Sequence, residues 1–126
     1  MKYELIKTKR NTVENQNKQS KDALFIKGND IYNRIETVDI EWVESDGNYS
    51  IINTNDKKFA VKISLTKFKQ ELPEGNFIQI HKRYIVNIKK INGIDPLNNE
   101  VILDTQTIPI GRTYKKELLN RLKLLH

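Results

Sequence analysis

From Ala23 onward, apolar and polar positions alternate over short distances, at the period of strands rather than helices. ALFIK and IYNRI are short runs of apolar, aromatic and β-branched residues separated by GND, a turn signal. VDIEWVES alternates strictly, so Val38, Ile40 and Trp42 are expected on one face and Asp39, Glu41 and Val43 on the other. SDGN follows as a turn with Asp-Gly at its centre, and YSIINT and KKFAVKI form a hairpin closed around NTNDK. The period then lengthens. In SLTKFKQEL, Leu65, Phe68 and Leu72 recur at i, i+3 and i+7, Ser64 is placed to cap, and Pro73 stops the helix before the loop PEGN.

Past that helix the pattern returns to strands. FIQIH is strand-like, whereas YIVNIKKI is an apolar run too short to assign by periodicity. EVILD and TIPIG are strands, and Pro109 puts the second at an edge or an end. The chain closes on TYKKELLNRLKLL, where Tyr114, Leu118, Leu122 and Leu125 make a helical stripe with the basic residues off it. The fold class is therefore mainly β with minor α: short sheets, one short internal helix and a C-terminal helix. Residues 1–22 differ from the rest. Six basic residues over 1–21 face only Glu4 and Glu14, and TVENQNKQS is almost wholly polar, so 1–22 reads as a flexible basic arm or linker. YELI within it is a candidate edge strand. The domain proper is expected over 23–126.

Charge changes this picture. The formal net charge is +6, which favours polyanionic partners, nucleic acid ahead of anionic membrane. In FIQIHKRYIVNIKKI, residues that demand burial sit beside His81, Lys82, Arg83, Lys89 and Lys90 with no acid among them. There is no cysteine, which removes disulfides, thiolate chemistry and Cys-ligated zinc. With no signal-like N-terminus and no apolar run of membrane-spanning length, the expectation is a soluble, cytoplasmic protein. Only His81 and His126 are histidines, and no nucleophile elbow, Gly-rich phosphate loop or HExxH pattern occurs. Neither an enzyme, nor a metal site, nor a cofactor is expected.

Three loops carry the candidate chemistry. HKRY lies where a strand ends and the chain turns, so Lys82 and Arg83 can reach phosphates or base edges. IGRTYKK is a second basic cluster, with Arg112, Thr113, Lys115 and Lys116 at a helix start. SDGNYS offers Asn48, Tyr49 and Ser50 as hydrogen-bonding groups. Each has a plainer role open to it. Asp46, Gly47 and Asn48 can simply make a turn, His81 can satisfy a backbone group, and Lys89 and Lys90 can be solvated edge residues.

Taken together, FIQIHKRYIVNIKKINGI resembles the signature of LytTR-type DNA-binding domains: a Phe leading to a His, a short polar stretch, an aromatic, Val-Asn and an Ile-rich strand. VDIEWVESDGNYSII, KISLTKFKQELPEGNFIQIH and VILDTQTIPIGRTYKKELLNRL are similar to that family's opening strand and loop, its short helix, and its closing hairpin and final helix. The resemblance covers about residues 24–124, in order. It implies a domain of short β-sheets whose loops, rather than a recognition helix, enter the major groove of duplex DNA.

By position in the motifs it also implies Arg112 as principal base contact, Lys82 as a second, and Asn48, Tyr49 and Ser50 as candidates for a third. Arg83, Thr113, Lys115, Lys116 and Lys89 are the expected phosphate contacts, while His81 and Asn87 take structural roles. Gly111 departs from the pattern, because the family commonly has Ser before the basic residue. The family is one of bacterial transcriptional regulators, often two-component response regulators, which commonly occupy paired direct repeats with two copies. A receiver domain or sensor kinase is then a possible partner. The 126 residues leave no room for a receiver, so the arm reads either as a linker or as the start of a standalone regulator. A single-stranded nucleic-acid binder on an OB-like barrel and a protein-interaction module are the alternatives. The first would need exposed aromatic platforms, yet Trp42, Phe59, Phe68 and Phe77 all fall on apolar faces.

Overall fold

The computed structural model describes residues 21–126. The YELI strand and nearly all of the expected arm lie outside them. Of the arm, Lys21 and Asp22 are described. Lys21 Nζ donates to the Gln70 carbonyl at 2.8 Å, and the Asp22 carbonyl accepts from the Thr37 N–H at 2.9 Å.

A central sheet of five antiparallel strands organises the domain. Its strands are β3 (Ile40–Asp46), β4 (Tyr49–Thr54), β5 (Lys58–Val61), β6 (Phe77–His81) and β7 (Tyr84–Asn87), in the order β5-β4-β3-β7-β6. Both faces are covered. On one lies the hairpin of β1 (Ala23–Lys27) and β2 (Tyr32–Glu36) with helix α1 (Leu65–Lys69). There Ile35, Leu65, Phe68 and Leu72 pack with Ile40, Val43, Ile52, Phe77 and Ile85. On the other lies a three-stranded sheet of β8 (Gly93–Asp95), β9 (Glu100–Ile102) and β10 (Thr107–Pro109), ordered β10-β9-β8, with helix α2 (Lys115–Arg121). Val101, Leu103, Ile108, Ile110 and Leu118 close that side over Trp42, Ile78, Ile80 and Val86. Burial on both faces explains why apolar residues stand next to one another in FIQIHKRYIVN, since adjacent strand residues point to opposite sides.

The alternation expected in VDIEWVES fails at one residue. Ile40 pairs with Thr54 and Trp42 with Asn53, so Glu41 is the extra residue of a β-bulge. A bulge shifts the parity of the strand. Ile40 and Val43 therefore share one core while Trp42 enters the other, and Val38, in the short 3-10 turn before β3, is exposed. YIVNIKKI, left unassigned by its pattern, resolves into β7 and a 3-10 turn over Ile88–Lys90.

Both helices are shorter than their apolar stripes. Ser64 does cap α1, its hydroxyl accepting from the Lys67 N–H at 3.2 Å. After Lys69 the turn tightens, with Glu71 N–H bonded to Phe68 O and Leu72 N–H to Lys69 O, which keeps Leu72 buried ahead of Pro73. In α2 the backbone turns extended at Leu122, so Leu125 does not join the stripe and is exposed. Pro109 ends β10, an edge strand, where its missing N–H costs no ladder bond.

Candidate nucleic-acid interface

The candidate loops come together because the strand ends that carry them are bonded to one another. Asp46 pairs with Tyr49, so the β3–β4 turn has Gly47 and Asn48 at its centre, one residue later than the Asp-Gly expected. Gly47 has φ +60, and a Cβ there would meet nothing within 4 Å, so glycine is needed for backbone conformation rather than for space. Next to it stands the β6–β7 turn, where His81 pairs with Tyr84 and leaves Lys82 and Arg83 at the tip.

His81 Nδ1 accepts from the Arg83 N–H at 3.1 Å, and its ring packs on Tyr84 with centroids 5.2 Å apart. The Gln79 amide donates to the His81 carbonyl at 3.1 Å. Arg83 then locks the two turns together. Its carbonyl accepts from the Ser45 N–H at 2.9 Å, and its guanidinium donates to the Ser45 carbonyl at 3.0 Å. Asn87, the other signature polar residue, is buried; it donates to the Ile40 carbonyl at 2.9 Å and accepts from the Lys89 N–H.

The third loop follows β10. Gly111 N–H donates to the Ile80 carbonyl at 2.7 Å, which sets the loop against the end of β6 beside the Lys82 turn. Arg112 and Thr113 are exposed in the 3-10 turn Arg112–Tyr114 that leads into α2. Counted in strand spacings of about 4.8 Å, the row from the β3–β4 turn to the Arg112 loop is about 15 Å wide. That is close to the ~12 Å of a DNA major groove. The Lys82 and Arg112 side chains have no hydrogen-bond partner among the described residues, so both cationic tips are free to meet a ligand.

A fourth segment joins this row, one to which the alternation of apolar and polar positions assigns no role. The β8–β9 turn, Pro96–Asn99, lies at the same end of its sheet as the Arg112 loop, and the Ile110 N–H donates to the Asn99 carbonyl at 2.8 Å. The Asn98 side chain donates to Asp95 at 2.7 Å and its backbone N–H at 3.1 Å, and together they hold the Asp95 carboxyl below the ordinary carboxylate range. The only advance sign of this turn was its DPLNN composition.

Three expected contacts are placed otherwise. Ser50 is fully buried, its hydroxyl donating to the Ile63 carbonyl at 2.8 Å, because the side chain after Tyr49 points into the sheet. Lys115 is half-buried and donates to the Pro96 carbonyl and Asn99 Oδ1, both at 2.8 Å, so it clasps the β8–β9 turn instead of standing free. Lys89 lies past Asn87, at the opposite end of the β6–β7 hairpin from Lys82, about 13 Å away along the strand. The positive charge of FIQIHKRYIVNIKKI is thus divided between two ends of the sheet. Asn48, Tyr49, Lys82, Arg83, Arg112, Thr113 and Lys116 remain exposed.

Among the described residues, no helix is long and apolar enough to cross a membrane. Trp42, Phe68 and Phe77 are buried and Phe59 is partly buried, packed against the core. The exposed rings Phe25 and Tyr32 lie on the outer face of the β1–β2 hairpin, with Arg34 over Phe25 and Lys27 over Tyr32.

Known proteins share this fold. The sequence profile of the LytTr DNA-binding domain matches residues 30–123. The sensory transduction protein LytT of Bacillus subtilis is 32% identical over 96 residues, which is 73% of this chain and 39% of that protein. The transcriptional regulatory protein YpdB of Escherichia coli K12 is 29% identical over 84 residues, covering 63% of this chain and 34% of that protein. The chain thus spans between a third and two fifths of the length of these curated relatives. A solved LytTr DNA-binding domain from Bacillus cereus superposes with a TM-score of 0.74 at 22% identity, covering 83% of this chain and all of that one. A profile match running from before β2 to past α2 and a superposition that spans most of the chain agree: this chain belongs to the LytTr DNA-binding domain family, a family of regulator domains rather than of enzymes.

Proposed function

We propose that this chain binds duplex DNA sequence-specifically as the output module of a bacterial transcriptional regulator, with its row of turns entering the major groove. Arg112 is the principal base contact. It stands on a turn anchored to β6 behind it and to α2 ahead of it, and its planar fork can make two parallel bonds to guanine. Lys82 is the second base contact, and Asn48 with Tyr49 supplies the third. Thr113, Lys116 and the remaining donors of Arg83 meet phosphates, which position the protein without reading sequence. Two copies occupy paired direct repeats. The names of the relatives, a sensory transduction protein and a transcriptional regulatory protein, support a receiver domain or sensor kinase as the regulatory partner.

The observation that carries this proposal is that two free cations, on two separate loops, are fixed to one bonded edge about as wide as a groove. A single-stranded binder is less well supported, because among the described residues that edge offers no stacking platform larger than Tyr49. A protein-interaction module would leave the free cations incidental.

The test is affinity for a duplex selected from a random pool, for a random duplex and for single strands, measured across salt. With three phosphate contacts left after Lys115 and Lys89 are set aside, log K against log salt should fall with a slope of about −2 to −3. The selected duplex should bind far more tightly than the others. A flat salt dependence, or single strands outcompeting the duplex, would defeat the proposal.

A further inference from the structure

We propose that Gly111 and Tyr114 form a spacer pair that sets where Arg112 stands relative to Lys82, and so governs how faithfully bases are read. This rests on the base-contact role proposed above for Arg112.

Gly111 has φ −71 and ψ 145, an ordinary extended conformation open to any residue. Its lack of a side chain is therefore not needed by the backbone. Space is what it provides. A Cβ at Gly111 would lie 2.9 Å from Tyr114 Cδ2, 3.5 Å from Tyr114 Cε2 and 3.4 Å from the His81 Cα. The first of these is closer than real Cβ contacts come, and the third is backbone of the strand that leads directly into Lys82.

Gly111 is also the residue before the 3-10 turn, and no side chain caps that turn. Ser, Thr, Asp or Asn there would supply the cap. The chain forgoes it and lets the Tyr114 ring lie on the glycine instead. Two short bonds hold the arrangement. Gly111 N–H donates to Ile80 O at 2.7 Å, and Tyr114 N–H donates to Gly111 O at 3.0 Å. Arg112 sits between these two anchors.

Any side chain at 111 forces one of two movements. Either the Tyr114 ring swings away, carrying the one-turn segment that includes Arg112, or the loop lifts off β6 and separates Arg112 from Lys82. Contacts of the base-reading kind need their groups held within about 0.5 Å. Both movements should therefore degrade reading of sequence while leaving the charge, and hence non-specific attraction, in place.

The experiment compares affinity for the selected duplex and for a random duplex, at one salt concentration, for wild type, Gly111→Ala, Tyr114→Ala and the double variant. Gly111→Ala should lower the specific-to-random ratio by about fivefold or more, the lower range of what one bidentate base contact is worth. Random-duplex affinity should hold. The double variant, with room restored, should regain most of the wild-type ratio.

A wild-type ratio well above one that Gly111→Ala leaves unchanged overturns the spacer pair alone, as does a loss that Tyr114→Ala does not repair. A wild-type ratio near one overturns the base-reading role and the spacer with it. If Gly111→Ala melts too low to assay, the double variant carries the test. It must then fold and discriminate, and its failure to do so overturns the proposal.

Discussion

Lys115→Met separates a structural clasp from a DNA contact. Methionine keeps the apolar stem and removes the ammonium, and with it the bonds to the Pro96 carbonyl and Asn99 Oδ1, each 2.8 Å. A hydrogen bond from a charged donor is worth roughly 1.5–3 kcal/mol when shielded. Lys115 is only half-buried, and solvent screening and the ordering of a long side chain reduce that value, so about 1–2 kcal/mol for the pair is a fair expectation. In a domain of this size such a loss lowers the melting temperature by roughly 4–8 °C per kcal/mol. A thermal melt should show that drop. The slope of affinity against salt should not change, because a clasped ammonium releases no counterion on binding. If instead the melt is unaltered and the slope becomes shallower by about 0.9, the loss of one phosphate contact, then Lys115 swings out to the DNA and the clasp is incidental.

Arg112→Lys keeps the charge but not the fork, so specific binding should weaken by about 1–3 kcal/mol while random-duplex affinity holds; an unchanged ratio of the two would mean Arg112 reads no base. Leu118→Ala empties a fully buried position under α2 and should cost roughly 2–5 kcal/mol in denaturant unfolding; an unshifted midpoint would show that α2 does not close the core. Ser50→Ala removes a buried donor from the Ile63 carbonyl and should cost about 1 kcal/mol of stability with no change in sequence preference; a change in preference without a stability loss would return Ser50 to the DNA-contacting set.

Local chemistry was legible in the sequence wherever one short stretch decides it. Ser64 caps α1, and Pro109 ends an edge strand. The tip position of Lys82 follows from a strand ending at His81, whereas the β3–β4 turn centres on Gly47 and Asn48, one residue past the Asp-Gly of the sequence pattern. Parity was lost at Glu41 because a bulge depends on the partner strand, which no alternation within β3 can report. Spacing alone places Leu125 on the helical stripe, while the backbone leaves the helix at Leu122. The destinations of long cationic side chains were the least legible. Lys115, Arg83 and Lys89 look alike in a basic sequence. One clasps a turn, one ties two turns together, and one stands at the far end of the sheet. Those outcomes are set by which strand ends meet in space.

The most direct test of the DNA-contacting edge is a residue-by-residue map of amide chemical shifts during titration with a selected duplex. The edge described here predicts shifts concentrated at Asn48, Tyr49, Lys82, Arg83, Gly111, Arg112 and Thr113, with Lys89 and the outer face of the β1–β2 hairpin at Phe25 and Tyr32 unmoved. Shifts centred on Phe25, Tyr32 or Lys89, with the Lys82 and Arg112 turns silent, would contradict it.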